Sequence, residues 1–343
     1  MRIGDREIGV DQPPLVIAEI GINHGGDLEV AKAMVRAAAA AGGEIVKHQT
    51  HFVWDEMTDE AKNVFPPNDP RSIWDVIADA SLTADQEIEL KDYAESIGLL
   101  YISTPFSRAA ADFLDGIDVP AFKIGSGEAN NVPLIKHICS FGRPVIMSTG
   151  MQSLDTVAAS VQVIEAAGVD HALLECTNLY PSPPENVSLR GVRDLAERFP
   201  NAVVGFSDHS IGPDMALASV AVGASIIERH FTDSRYRVGP DISASMDPAE
   251  LRHIVDRSRE IWMALHNQKQ RTEDEEAVYR FARSSVVADE DLPAGTELTE
   301  DNIWARRPGT GEISGERFYD VVGTTLTVPK RKNETIGWAD IGR

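Results

Sequence analysis

Two hydrophobic rhythms alternate between residues 14 and about 265. Short apolar runs rich in β-branched residues recur eight times, at 15–21, 44–50, 99–105, 121–127, 144–150, 171–177, 202–209 and 225–232. Their length and flanking turn residues predict strands. Ala-rich or amphipathic segments with helical spacing lie between and after them, at 28–41, 84–97, 107–114, 132–141, 154–167, 189–199, 213–222 and 248–265. Gly or Pro follows most of these (Gly42, Gly98, Gly142, Gly168, Pro200), as expected where helices stop. Thr83 and Gln86 have the spacing of a capping box. Strict strand–helix alternation repeated eight times predicts a (β/α)8 TIM barrel. A doubly wound open sheet is the alternative, and the lack of a GxGxxG after the first strand counts against it.

Outside this rhythm lie one long loop and a tail. Residues 51–71 carry Trp54, Asp55, Glu56, Met57 and Pro66-Pro67 and show no period. A loop of that length reads as an active-site lid or as a peripheral insertion. The composition turns polar across 267–282, which reads as a linker that closes a catalytic domain at 1–266. Residues 283–343 show short apolar runs, Pro/Gly turns and no helical spacing, so a small β-rich module is expected.

Charge narrows the classes of function. The 343 residues carry 32 Lys+Arg against 54 Asp+Glu, a net charge of −22. Phosphate backbones need basic stripes, so nucleic acid is not an expected partner. Anionic membranes are disfavoured for the same reason, and no apolar run approaches the ~20 residues of a span. The two cysteines, Cys139 and Cys176, make no disulfide framework, and the N-terminus has no apolar leader segment; a cytoplasmic setting is expected.

In a barrel, chemistry gathers at the C-terminal ends of the strands. Each predicted strand here ends in polar groups: Glu19; Lys47 with Gln49; Thr104; Lys123 with Ser126 and Glu128; Ser148; Cys176 with Asn178 and then Tyr180; Ser207 with His209; Glu228 with His230. Only nine residues are lysine, and two of them, Lys47 and Lys123, fall on strands. A buried lysine needs an anion. Beside Thr104, Ser126, Ser148 and Ser207 the pair predicts a site for phosphate; pairing with Glu19, Glu128 or Glu228, or a Schiff-base role, remains open. His209 and His230 end consecutive strands ~4.8 Å apart. They could share a divalent metal with water or substrate completing its sphere, or be hydrogen-bonded filling. Cys176 reads as a third ligand or as a small apolar filler.

These residues sit in a series of motifs. They are Ala18-Glu19-Ile20-Gly21-Ile22-Asn23-His24, Val46-Lys47-His48-Gln49-Thr50-His51, Phe122-Lys123-Ile124-Gly125-Ser126-Gly127-Glu128, Ser148-Thr149-Gly150-Met151, Cys176-Thr177-Asn178-Leu179-Tyr180-Pro181, Phe206-Ser207-Asp208-His209-Ser210, Ile227-Glu228-Arg229-His230-Phe231-Thr232 and Gly239-Pro240-Asp241. In this order they resemble the bacterial sialic acid synthase (N-acetylneuraminate synthase) family. The tail resembles that family's C-terminal antifreeze-like (SAF) domain. Legionaminate and pseudaminate synthases share most of these motifs. His48, where many relatives have Phe, looks closer to the N-acetylneuraminate group.

The resemblance implies condensation of phosphoenolpyruvate with N-acetylmannosamine and water. It implies a divalent metal, usually Mn2+ with Mg2+ or Co2+ as alternatives, on His209 and His230. Phosphoenolpyruvate would be held by Lys47, Thr104, Lys123, Ser126, Ser148, Asn178 and Ser207. The sugar would be held by Gln49, Glu128, Tyr180 and Asp241, with Glu19 as acid or base. It further implies a domain-swapped homodimer in which Arg307, with Arg306 beside it, reaches the partner's sugar site.

Overall fold

The computed structural model describes residues 1–65 and 70–342, so Pro66 and Pro67 of the long loop lie outside the described residues. The chain divides into two compact units, Met1–Asn267 and Gln268–Arg343.

In the first unit eight parallel strands close into a barrel: β1 (Leu15–Gly21), β2 (Ile45–Thr50), β3 (Leu100–Pro105), β4 (Phe122–Ile124), β5 (Val145–Ser148), β6 (His171–Cys176), β7 (Val203–Asp208) and β8 (Ile226–His230). β8 pairs back onto β1, with Ile226 opposite Leu15 and His230 opposite Glu19. Helices follow the strands, among them Leu28–Ala40, Ala84–Ser96, Leu154–Ala167 and Pro248–Leu265. The expected capping box forms at Thr83 and Gln86. Gly168 ends its helix in the left-handed region, φ 71°, where a side chain would be strained.

The period-two alternation sorts each strand into two faces. One face, with Val16, Ala18, Val46, Tyr101, Phe122, Met147, Leu173, Phe206 and Ile227, joins the apolar layer shared with the helices. The other face fills the barrel. At its N-terminal end it is wholly apolar: Leu15, Ile17, Ile45, Ile102, Ala121, Ile146, Ala172, Leu174 and Ile226. A hairpin of Arg2–Ile3 and Arg6–Glu7 closes this floor, and Ile3 and Ile8 bury against the same cluster. Two-residue strands leave almost no periodic trace, so the sequence pattern does not predict this plug.

β4 is shorter than its predicted span of 121–127. Beyond Ile124 the chain leaves the ladder through Gly125-Ser126-Gly127, where Glu128 N–H donates to the Gly125 carbonyl at 3.1 Å. The long loop is not structureless either. It holds a short helix, Val53–Glu56, and a 3-10 turn, Asp59–Asn63, and is followed by the helix Ile73–Ala80, which sequence spacing also misses.

In the second unit, residues read as linker carry a 3-10 turn, Glu273–Glu275, and a helix, Glu276–Ala282. Beyond them Ser285–Ala288 pairs with Ile303–Arg306, and Thr325–Leu326 with Ile341–Gly342, both antiparallel. Their apolar faces enclose a small core containing Val286, Ile303, Ile313, Phe318, Leu326 and Ile336. This is the β-rich module expected from the sequence.

Candidate active site

Half-way up the barrel the inward face turns from apolar to charged. Two residues above Ile17, Ile45, Ala121 and Ile226, the same face presents Glu19, Lys47, Lys123 and Glu228, all buried. Lys47 Nζ contacts the Glu19 carboxylate and lies 3.6 Å from Glu228 Oε1; Lys123 Nζ lies 3.7 Å from that same oxygen. Glu228 therefore stands between two ammonium groups. Lys47 also donates to Thr104 Oγ1 at 3.2 Å, and Lys123 to Ser148 Oγ at 2.7 Å. The pairing with Glu19 and Glu228 that the sequence left open is thus present.

The electrostatics follow from burial and these pairs. Burial pulls Lys123 down, against Glu228. Burial would also lower Lys47, but Glu19 and Glu228 outweigh it and hold Lys47 above its usual value. For Glu228, burial is outweighed by Lys123 and Lys47, so it stays ionised. Glu19 goes the other way. Burial pushes it up to about 7 despite Lys47, and the like charge of Glu228 adds to the rise. A carboxyl near 7 can both give and take a proton at neutral pH.

Above these charges is a cavity of about 160 Å³. Its lining includes Lys47, Gln49, Thr104, Lys123, Ser126, Glu128, Ser148, Asn178, Tyr180, Ser207, His209 and His230. Glu19 sits just beneath, linked by Lys47 and by Gln49 Nε2–H donating to its Oε1 at 3.1 Å. Asp241, on the loop after β8, has Oδ2 3.7 Å from His230 Nδ1, and burial raises its carboxyl to about 6. Arg307 belongs to the second unit, where it is exposed and has no hydrogen-bond or ion-pair partner among the described residues. Arg306 beside it is held by Asp289 and Asn333 of its own module.

The two imidazoles have ring centroids 5.4 Å apart, with the Tyr180 ring 4.1 Å from His209 and 5.7 Å from His230. His209 Nδ1 is 2.8 Å from the Thr177 carbonyl. A carbonyl can only accept, so Nδ1 carries the hydrogen and Nε2 keeps its lone pair. Burial lowers both histidines, which keeps them neutral, and His230 Nδ1 has no hydrogen-bond partner. Two neutral imidazoles with a free lone pair suit a divalent ion. Among the described residues no group of three or more His, Cys, Asp or Glu side chains is arranged to hold one. An ion here would take two protein donors and leave its other positions open. Cys176, whose thiol burial pushes up to about 11, lines the cavity as an uncharged filler.

Two glycines shape this space. A Cβ at Gly150 would lie 1.8 Å from Asn178 Oδ1, and the Gly150 N–H donates to Ser126 Oγ at 3.1 Å. Gly21, φ +49°, faces Glu19 Oε1, Gln49 Nε2 and His230, all within 3.5 Å of where a Cβ would stand.

Sequence reasoning names Glu228 only as a strand-end carboxylate and a possible partner of the lysines, and misses Phe106; both line the cavity. The signal for Glu228 is its place two residues before His230, on the same face of one strand. His48, inside a cavity motif, points outward. Its Nε2 lies 3.1 Å from His24 Nε2 and its Nδ1 3.3 Å from Glu87 Oε1.

Comparison with known proteins agrees with this architecture. Residues 34–270 match the NeuB family and residues 283–342 the SAF domain. The chain is 35% identical to human N-acetylneuraminate-9-phosphate synthase, covering 96% of this chain and 93% of that one. It is 33% identical to N,N'-diacetyllegionaminic acid synthase of Campylobacter jejuni, covering 94% and 98%. A crystal structure of N-acetylneuraminic acid (sialic acid) synthetase from Leptospira borgpetersenii superposes with a TM-score of 0.74 at 29% identity, covering 82% of this chain and 95% of that one.

Proposed function

The chain belongs to the NeuB family of sialic acid synthases, and on that premise we propose that it condenses phosphoenolpyruvate with N-acetylmannosamine and water, giving N-acetylneuraminate and phosphate. The observation that carries this reading is the lysine pair. In a protein of charge −22, two buried ammonium groups, with the Glu228 carboxylate between them and Thr104 and Ser148 beside them, form a site for a small anion. The cavity of about 160 Å³ is well below the ~300–1,000 Å³ of sites that enclose larger ligands. It fits the smaller substrate, with the sugar in the opening above, beside Gln49, Glu128, Tyr180 and Asp241.

Lys47 and Lys123 neutralise the carboxylate and phosphate of phosphoenolpyruvate, and Ser126, Ser148, Asn178 and Ser207 supply hydrogen bonds. Its methylene carbon attacks the sugar aldehyde carbon and a C–C bond forms. The aldehyde oxygen takes a proton from the Glu19 carboxyl, and the carbon that bears the phosphate becomes electron-poor. Water adds there, returning a proton to Glu19; the carbon's C–O bond to phosphate then breaks, a ketone forms, and the remaining hydroxyl proton leaves with the phosphate. His209 and His230 would hold a divalent ion, Mn2+ by preference, whose contribution is Lewis acidity toward the acceptor carbonyl.

An unphosphorylated acceptor is supported by the rim. Lys62, Arg71, Arg235 and Arg237, on the loops after β2 and β8, are each ion-paired to nearby acids. Arg108, exposed at the start of the helix after β3, has no ion-pair partner among the described residues and is the cation a sugar phosphate would use. A domain-swapped homodimer is supported by the unpartnered Arg307 and by apolar side chains exposed on loops around the mouth, including Trp54, Met151, Ile211 and Tyr236.

The test is phosphate release from phosphoenolpyruvate with N-acetylmannosamine, its 6-phosphate and the diacetamido sugar, each with Mn2+ and with EDTA. Mn2+-dependent release with N-acetylmannosamine, lost in His209→Ala and His230→Ala, is the expected result. Release with the diacetamido sugar alone would move the product to legionaminate. Borohydride trapping with pyruvate covers the aldolase reading, which the lowered Lys123 would otherwise serve.

A further inference from the structure

Gln49 meets Glu19 through one end of an amide whose two ends are alike in size and opposite in chemistry. Its Nε2–H donates to Glu19 Oε1 at 3.1 Å. Its Oε1 lies 3.2 Å from His51 Nε2. His51 is the first residue beyond β2, yet it is buried at the mouth. Its ring stacks on Phe106, centroids 4.2 Å apart and planes 16° from parallel, and its Nδ1 lies 2.8 Å from Glu56 Oε2. An amide oxygen can only accept, so with the amide placed this way His51 Nε2–H donates to Gln49 Oε1, and a second ring hydrogen, on Nδ1, faces the Glu56 carboxylate. The reverse amide orientation would set two oxygens against each other at an ionised Glu19, and an N–H against an N–H wherever His51 carries its hydrogen on Nε2.

We propose that His51 is a positioning residue: clamped by Glu56 and Phe106, it fixes the orientation of the Gln49 amide, and through it the Glu19 carboxyl and the polar face offered to the acceptor sugar. This rests on the reading of Gln49 and Glu19 as groups of the sugar site. Glu56 brings the loop after β2 into the chain, so a segment outside the cavity sets the geometry within it. Lys47 meets Glu19 through the carboxylate's other oxygen, and Lys123 is not part of this relay.

The relay separates His51's two nitrogens experimentally. A Gln side chain can supply the Nε2–H, whereas Asn supplies only the Nδ1–H toward Glu56. In His51→Phe and His51→Asn the KM for the acceptor is expected to rise and kcat to fall, with kcat/KM for the acceptor down by about ten- to a hundredfold. The KM for phosphoenolpyruvate should stay unchanged. His51→Gln should recover most of the loss. In a Gln49→Leu background, His51→Phe should add less than about twofold, because the residue it acts through is gone. Rescue by Asn instead of Gln, or full additivity with Gln49→Leu, would show that His51 only anchors the helix Val53–Glu56, and would overturn the proposal. Absence of turnover by the unmodified enzyme with either sugar would overturn the reaction assigned above, and this relay with it.

Discussion

The floor and the mouth of the barrel are built on the same strands and are equally buried, yet their contents are opposite. At the floor, Ile17, Ile45, Ala121 and Ile226 pack into one apolar cluster. Two residues further along the same strands, Glu19, Lys47, Lys123 and Glu228 meet one another, the hydroxyls beside them, the Gln49 amide and the Ile124 carbonyl. Burial stabilises the first layer at roughly 25 cal/mol per Å² of apolar area. In the second layer it imposes a desolvation cost that ion pairing offsets only in part. The fold therefore rests on the floor and the helix layer, while the mouth holds the charges that the proposed anionic substrate would pair with.

The comparison breaks first at the lysines. Lys123→Met should lower kcat/KM for phosphoenolpyruvate by about a hundred- to a thousandfold, as for other lost electrostatic contacts to a reacting group. Phosphate release measures this. Its effect on unfolding separates two costs: Glu228 loses one of two counter-charges, but one desolvated ammonium is also gone. Floor substitutions should behave in the opposite way. Ile17→Ala is expected to lower unfolding free energy by about 2–5 kcal/mol and leave KM for both substrates unchanged. Denaturant titration and steady-state kinetics on one preparation decide it. A large kinetic effect from Ile17→Ala would mean that the two layers are mechanically coupled.

Smaller effects sharpen the contrast. Burial, and then the charge of Glu56, push Glu128 up to about 7 from its usual 4.5. Between those values the folded chain holds a proton that the unfolded chain has released, so this group's contribution to stability is lost as pH rises across the window. Glu128→Gln should flatten the pH dependence of unfolding there by up to about 1.4 kcal/mol per pH unit. The variant should melt higher than the parent at pH 8 while turning over more slowly. Ser148→Ala is the mildest case. It removes a hydroxyl bonded to Lys123, and is expected to change stability by about 1 kcal/mol or less and to raise the KM for phosphoenolpyruvate more than that for the sugar.

Much of this is legible in the order of residues alone. Apart from β4, which stops at Ile124, the barrel strands and the eight expected helices lie at nearly the boundaries that the pattern predicts, because period-two and helical spacing are local and the apolar layers are continuous. The elements that escape the pattern are those too short to show a period, such as the hairpin at Arg2–Glu7 and the turns between Phe52 and Asn63. The helix Ile73–Ala80 is hidden because it abuts an aperiodic loop. Twelve of the expected site residues line one cavity because strands of equal phase must bring their C-terminal ends to one place. His48 shows the limit. It lies between Lys47 and Gln49 in the motif and on the opposite face in space.

The sequence by itself determined the barrel, its β-rich tail, and the strand ends at which polar groups replace apolar ones. Those are properties of neighbours along the chain, and secondary-structure period reports them directly. Only the tertiary structure decided who faces whom: Glu228 between Lys47 and Lys123, the Thr177 carbonyl behind His209, His51 behind Gln49. Such pairings join strands and loops distant in sequence. They form only when closure of the barrel sets each side chain's height and direction, and the protonation of Glu19 depends on that same closure, because burial and neighbouring charge exist only once the strands have met.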